Sequence, residues 1–144
     1  MNKFTTSMLA AAVGLALSTG AVAMSQDEHK QAQERIEAQY KADKAKCDAM
    51  TGNAKDVCQK EAKGKENIAK AELDAQKDPS ARNQRKVAQA RADAKYDVAK
   101  ERCDDLKGKD KDACQLSAKA AHEKDKASIE KQGASSGSTT PANR

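Results

Sequence analysis

Apolar and polar positions alternate along this chain with a helical period. Ile36, Tyr40, Asp43, Cys47 and Met50 follow a 4-3-4-3 spacing, and so do Ala92, Tyr96, Ala99, Cys103 and Leu106. That spacing lines up one stripe on a helix of 3.6 residues per turn. Return stripes follow at Val57, Cys58, Ala62, Ile68, Ala69 and Leu73, then at Ala113, Cys114, Ala118, Ala121 and Ile129. Gly52 and Gly108 separate each stripe from its return and suit the left-handed residue that closes a helix. Asn53 and Asp110 are candidate N-caps for the return arms. In Lys77-Asp78-Pro79-Ser80, an Asp cap followed by Pro at the first helical position reads as a further helix start. The pattern predicts an all-α chain with four helices near 27–51, 54–77, 79–107 and 110–131. They form two tandem antiparallel hairpins, 24–77 and 78–132, in an elongated or loose four-helix arrangement.

The two hairpins are copies. Tyr40, Cys47 and Cys58 recur as Tyr96, Cys103 and Cys114, and aligning 40–73 with 96–129 matches 13 of 34 positions. Asp48/Asp104, Gly52/Gly108, Lys55/Lys111, Asp56/Asp112 and Gln59/Gln115 are among the identities. A duplication of this kind declares two copies of one supersecondary unit.

The N-terminus reads as a secretory leader. Lys3 precedes a short apolar stretch, Met8 to Leu17, and Ala21-Val22-Ala23 fits a cleavage site after Ala23. The stretch is shorter than the ~20 apolar residues that span a bilayer, so the mature chain should carry no transmembrane segment. These features predict a signal peptide at 1–23 and a periplasmic protein. Export makes disulfides the default state of the four cysteines, which allow three pairings. The repeat favours Cys47–Cys58 and Cys103–Cys114, and so does geometry. Each pair is placed symmetrically about a hairpin turn, where two facing thiols can meet. Residues 133–144, rich in Gly, Ser and Thr, read as a disordered tail.

Composition supports helix and predicts a thin core: 34% of residues are charged and 2% aromatic. Each fully buried large side chain contributes about 1.5–3 kcal/mol, against about 1–2 kcal/mol per residue for backbone ordering. So few anchors need the help of the bridges, each closing a short loop worth about 3 kcal/mol in the chain-entropy model.

Charge is unevenly spread. Removing the leader takes away Lys3 and lowers the net charge from +5 to +4. Within the repeats, acids and bases nearly balance, whereas 77–91 carries Lys77, Arg82, Arg85, Lys86 and Arg91 against Asp78 alone. These five form a candidate anion-docking patch for an envelope protein or an anionic envelope component. Mixed acids and the lack of interleaved aromatics argue against nucleic acid as partner.

Catalytic signatures are missing from the pattern. His29 and His122 stand in dissimilar contexts and read as surface residues. No phosphate-binding glycine loop occurs. The Cys-x10-Cys spacing fits neither the usual zinc pairs nor the redox Cys-x-x-Cys. No cofactor and no metal site are expected. Tyr40 and Tyr96 are expected to pack against the return arms.

The segments CDAMTGNAKDVCQKEAKGK and CDDLKGKDKDACQLSAKAA resemble those of small exported Ala/Lys-rich helical proteins of Gram-negative bacteria, often labelled TolA-like or cell-envelope-biogenesis proteins. The resemblance spans about residues 36–130 and implies a helical envelope protein. The leader, the duplicated stapled hairpins and the missing catalytic signatures make a non-enzymatic structural or interaction module of the cell envelope the expected function. A hydrophilic stress-protection protein and a periplasmic metal or thiol-redox binder are the alternatives.

Overall fold

The computed structural model describes residues 24–136, with side chains described as far as Gly133. Helix α1 runs Gln26–Asp48, α2 Gly52–Lys77, α3 Ala81–Arg102 and α4 Gly108–Ser136, with a single 3-10 turn at Cys103–Asp105 between α3 and α4. No strand occurs among the described residues. The expected leader, 1–23, lies outside them. Of the segment expected to be a disordered tail, 133–136 continues α4, and 137–144 lies outside the described residues.

Local chemistry sets the helix ends. At the start of α1 a capping box forms: Ser25 Oγ accepts from the Glu28 N–H at 3.2 Å, and Glu28 Oε2 accepts from the Ser25 N–H at 2.9 Å. These bonds to Ser25 hold the Glu28 carboxyl below its ordinary range. The chain reverses between α1 and α2 through Gly52, with φ +60°, and between α3 and α4 through Gly108, with φ +55°. Both glycines open the return helices instead of closing the outgoing ones. Thr51, not Asn53, occupies the cap position of α2, and Asp110 sits inside the first turn of α4. A Cβ on either turn glycine would meet nothing within 4 Å, so the left-handed φ alone requires glycine there.

At the α2–α3 connection the cap is Ser80, one residue beyond the expected Asp78-Pro79 start. Asp78 instead ends α2 in an extended conformation, as a residue before proline prefers. Its carboxylate accepts from Ser80 Oγ at 3.1 Å and from Asn83 Nδ2 at 3.0 Å, and its carbonyl accepts from the same Asn83 amide at 2.8 Å. Asn83 is buried, and these bonds satisfy its amide while fixing the turn.

Each helix packs on its chain neighbours: α1 on α2, α2 on α3, α3 on α4. The α2–α3 contact, between the two hairpins, is the most extensive, while α1 and α4 form no packed interface among the described residues. The result is an open serpentine layer, with α2 and α3 in the middle and α1 and α4 at the edges. The core is thin, as the composition predicts. Cys47, Ala62, Leu73, Ala75, Val87, Ala92 and Cys103 are its buried apolar residues. Small side chains dominate and let the helices approach closely. Gly64 marks the tightest point: a Cβ there would lie 2.7 Å from the Ala94 Cβ.

Candidate functional site

The duplicated sequence builds two copies of a clasp. Cys47–Cys58 and Cys103–Cys114 are bridged, with Cα separations of 5.5 and 5.6 Å, typical of disulfides. Beside each bridge an ion pair closes the same turn: Lys55 Nζ to Asp48 Oδ1 at 3.3 Å, and Lys111 Nζ to Asp104 Oδ1 at 2.9 Å. The Lys111 hydrogen bond holds the Asp104 carboxyl below its ordinary range. Backbone bonds match as well, since the Met50 N–H donates to the Cys47 carbonyl at 2.9 Å and the Leu106 N–H to the Cys103 carbonyl at 3.1 Å. Asp48/Asp104, Gly52/Gly108 and Lys55/Lys111, noticed in the sequence only as identities, are thus parts of one mechanical unit. Cys47 and Cys103 are fully buried.

Up-down connectivity places both clasps at the same end of the layer, each presenting an exposed apolar tip, Met50 in one and Leu106 in the other. The first clasp is tied to the second hairpin. Asn53 Nδ2 donates to the Glu101 carbonyl at 3.0 Å, and Arg102 pairs with Glu61 at 2.8 Å. The helix carrying Arg102 also pairs Arg91 with Glu72 of α2 at 2.6 Å and Lys95 with Asp125 of α4 at 3.1 Å. Such exposed pairs contribute about 0–1 kcal/mol each. Their main effect is to fix how α3 sits between its neighbours.

The basic segment is only partly assembled. Lys77 ends α2, while Arg82, Arg85 and Lys86 share one exposed face of α3 by their spacing. None of these four makes an ion pair among the described residues. Arg91 departs from the expected patch, because its guanidinium is engaged by Glu72. Arg85 lies across α4, where a Cβ on Gly133 would fall 2.5 Å from its Cδ. Gly133, which reads in the sequence as the start of the tail, makes room for this arginine.

The two tyrosines pack on the return arms, as expected, through different chemistry in the two copies. Lys63 Nζ sits 5.3 Å from the centroid of the Tyr40 ring and bonds Glu66 at 2.8 Å. Lys70 completes the group at 2.7 Å from the other Glu66 oxygen. Glu66 is buried, and its hydrogen bonds to Lys63 and then Lys70 hold its carboxyl below the ordinary range, while the Glu66 bond raises Lys63. In the second copy the position of Glu66 is taken by His122. Its ring stacks on Tyr96 with centroids 4.6 Å apart, and its Nε2 lies 2.7 Å from Asp93 Oδ1.

The surface position expected for the histidines is therefore corrected. His122 bridges α3 and α4 and His29 bridges α1 and α2, each with a side chain 14% exposed. His29 Nε2 is buried 3.6 Å from Asp74, too far for a hydrogen bond. Both lie in register with a packing stripe, His29 seven residues before Ile36 and His122 seven before Ile129, a signal in the sequence that places each against its partner helix despite its polarity. No group of three or more potential metal ligands occurs among the described residues. None of their helices is long and apolar enough to cross a membrane. Comparison of the chain with protein-family models, curated proteins and solved structures gave no match.

Proposed function

We propose that this chain is a non-enzymatic structural or interaction module of the cell envelope. In this reading residues 1–23 export it to the periplasm, where it resembles the TolA-like helical proteins in composition and repeat. One observation carries the proposal: the bridge, turn and ion-pair residues of the clasp are all identical in both copies, whereas the histidines and the buried carboxylate are not shared between them. Glu66 against His122 is the clearest case. Duplication that preserves mechanics and lets reactive groups diverge suits a rigid support better than a paired active site. Lys77, Arg82, Arg85 and Lys86, which make no ion pair among the described residues, supply the surface through which an envelope protein or anionic envelope component would dock.

In-cell crosslinking tests this proposal. A photoreactive residue at Arg82 or Lys86 should capture an envelope component, and the captured protein should begin near Met24 with all four cysteines bridged. Full-length chain in the cytoplasm with free thiols, or adducts confined to cytoplasmic proteins, would overturn it.

A further inference from the structure

Between the start of α3 and the end of α4 lies a groove of ≈ 560 Å³ with Arg85 and Arg91 on its rim. Its apolar lining is Pro79, Ala81, Val87, Ala88 and Ile129, and no carboxylate contributes to it. We infer that this groove binds a single-chain anionic amphiphile, with the alkyl chain along Val87 and Ile129 and the acidic head held by Arg85. The inference rests on the proposed anion-docking role of the basic segment and narrows it to one groove and one ligand class.

Five observations converge on that occupant. The volume falls within the ~300–1,000 Å³ of small-molecule clefts. Arg85 makes no ion pair among the described residues, and its neighbours Arg82 and Lys86 add positive charge on the same helix face. An arginine without a carboxylate partner is available for a bidentate bond to a carboxylate or phosphate. The half-buried Ile129 and the alkyl-sized floor would stay wet beneath a bare anion, so an ion alone leaves the groove unfilled. A second copy docked face to face would bring Arg85 towards its own symmetry mate, a like-charge contact. Absence of an aromatic from the lining removes the stacking platform that single-stranded nucleic acid uses.

The test uses the mature chain and dodecyl phosphate below its micelle concentration, followed by calorimetry and by NMR of the Val87 and Ile129 methyl groups. Saturable one-to-one binding is expected, with shifts concentrated on those two residues. Arg85→Gln should weaken binding at least tenfold at low salt, as loss of a charge-assisted bond predicts, and Ile129→Gln should weaken it comparably. Arg82→Gln, outside the groove, should change affinity less than threefold. Shift mapping on the unsubstituted chain decides the matter even if the Ile129 variant loses helix. Several results would overturn the inference: no binding, equal binding of dodecyl maltoside, equal binding of inorganic phosphate, or shifts centred on Ile68 and Val98 in the α2–α3 groove. Binding that appears only after removal of 137–144 would also overturn it, by making that segment the natural occupant. Because the assay is performed on purified protein, its failure would leave the proposed export and envelope crosslinks standing.

Discussion

Replacing Gly64 by alanine sets two physical effects of opposite sign against one another. In an exposed helix interior the change should stabilise by about 1 kcal/mol, because alanine loses less backbone freedom on folding. At Gly64 the new Cβ would lie 2.7 Å from the Ala94 Cβ, where carbon atoms prefer about 3.5–4.0 Å. Ala94 has no rotamer with which to retreat, so α2 and α3 must separate. That shift acts on the largest interface of the fold and pulls on the Asn53–Glu101 and Arg102–Glu61 contacts. Overpacking of this kind costs about 1–3 kcal/mol, and the rigid partner places it in the upper part of that range. Gly64→Ala should therefore lower stability by about 1–2 kcal/mol net of propensity. Urea unfolding followed by far-UV circular dichroism reads this directly. The second arm is a double-mutant cycle. Ala94→Gly alone should cost about 1 kcal/mol, yet in the Gly64→Ala background it should recover most of the loss, a coupling of about 2–3 kcal/mol. Ala120, the repeat equivalent of Gly64, is exposed on α4, and Ala120→Gly should show only the propensity cost of about 1 kcal/mol. A stabilised Gly64→Ala protein, or a cycle with no coupling, would refute close approach as the reason for this glycine.

Cys47→Ser should remove about 3 kcal/mol, as expected for opening a short loop, and hydrogen exchange should show the loss reaching into α3 through Asn53; protection lost in α1 and α2 alone would contradict the continuous layer. Acid should weaken the fold through Glu66: its folded pKa lies below its unfolded one, so its stabilisation is complete above the ordinary carboxylate range and disappears as pH falls through the folded value. Glu66→Gln should flatten that acid limb of a stability–pH curve, and an unchanged limb would show that other carboxylates control it. Tyr96→Leu should cost about 0.5–1.5 kcal/mol beyond area loss if the stack on His122 contributes as aromatic pairs do; thermal unfolding indistinguishable from that of the parent would remove the stack from the account.

Much of this architecture was legible in the residues because the chain states it twice. Fold class, the two local disulfides and the left-handed turn glycines all follow from positions that recur after 56 residues. The caps were less legible. Asn53 and Asp110 have the chemistry of a cap but lie past the turn, and Asp78 was displaced because Pro79 forces the residue before it into extended backbone. The basic segment was legible as charge and not as geometry. Linear counting groups Arg91 with Arg82 and Arg85, whereas the fold gives Arg91 to Glu72 and lays Arg85 on Gly133.

What the repeat could not reveal is the asymmetry between its copies, and that asymmetry has a physical cause. Both return arms descend from one unit, but α2 is flanked by α1 and α3 while α4 packs on α3 alone. An arm with two neighbours needs two packing faces. The second face of α2 is where the copies diverge: Gly64 replaces the alanine found at 120 and admits Ala94. Leu73 is buried where its counterpart Ile129 remains half-exposed along a groove. Ile129 stays accessible for a different reason: it lies on the face that α4 turns to α3, seven residues after His122, where the start of α3 leaves a groove beside it. Adding a further hairpin beyond α4 would then require a small residue at 120, and a designed three-hairpin chain carrying Ala120→Gly should pack its added helix more tightly than one retaining Ala120. Equal stability of the two designs would show that the divergence between the arms has nothing to do with the number of neighbours.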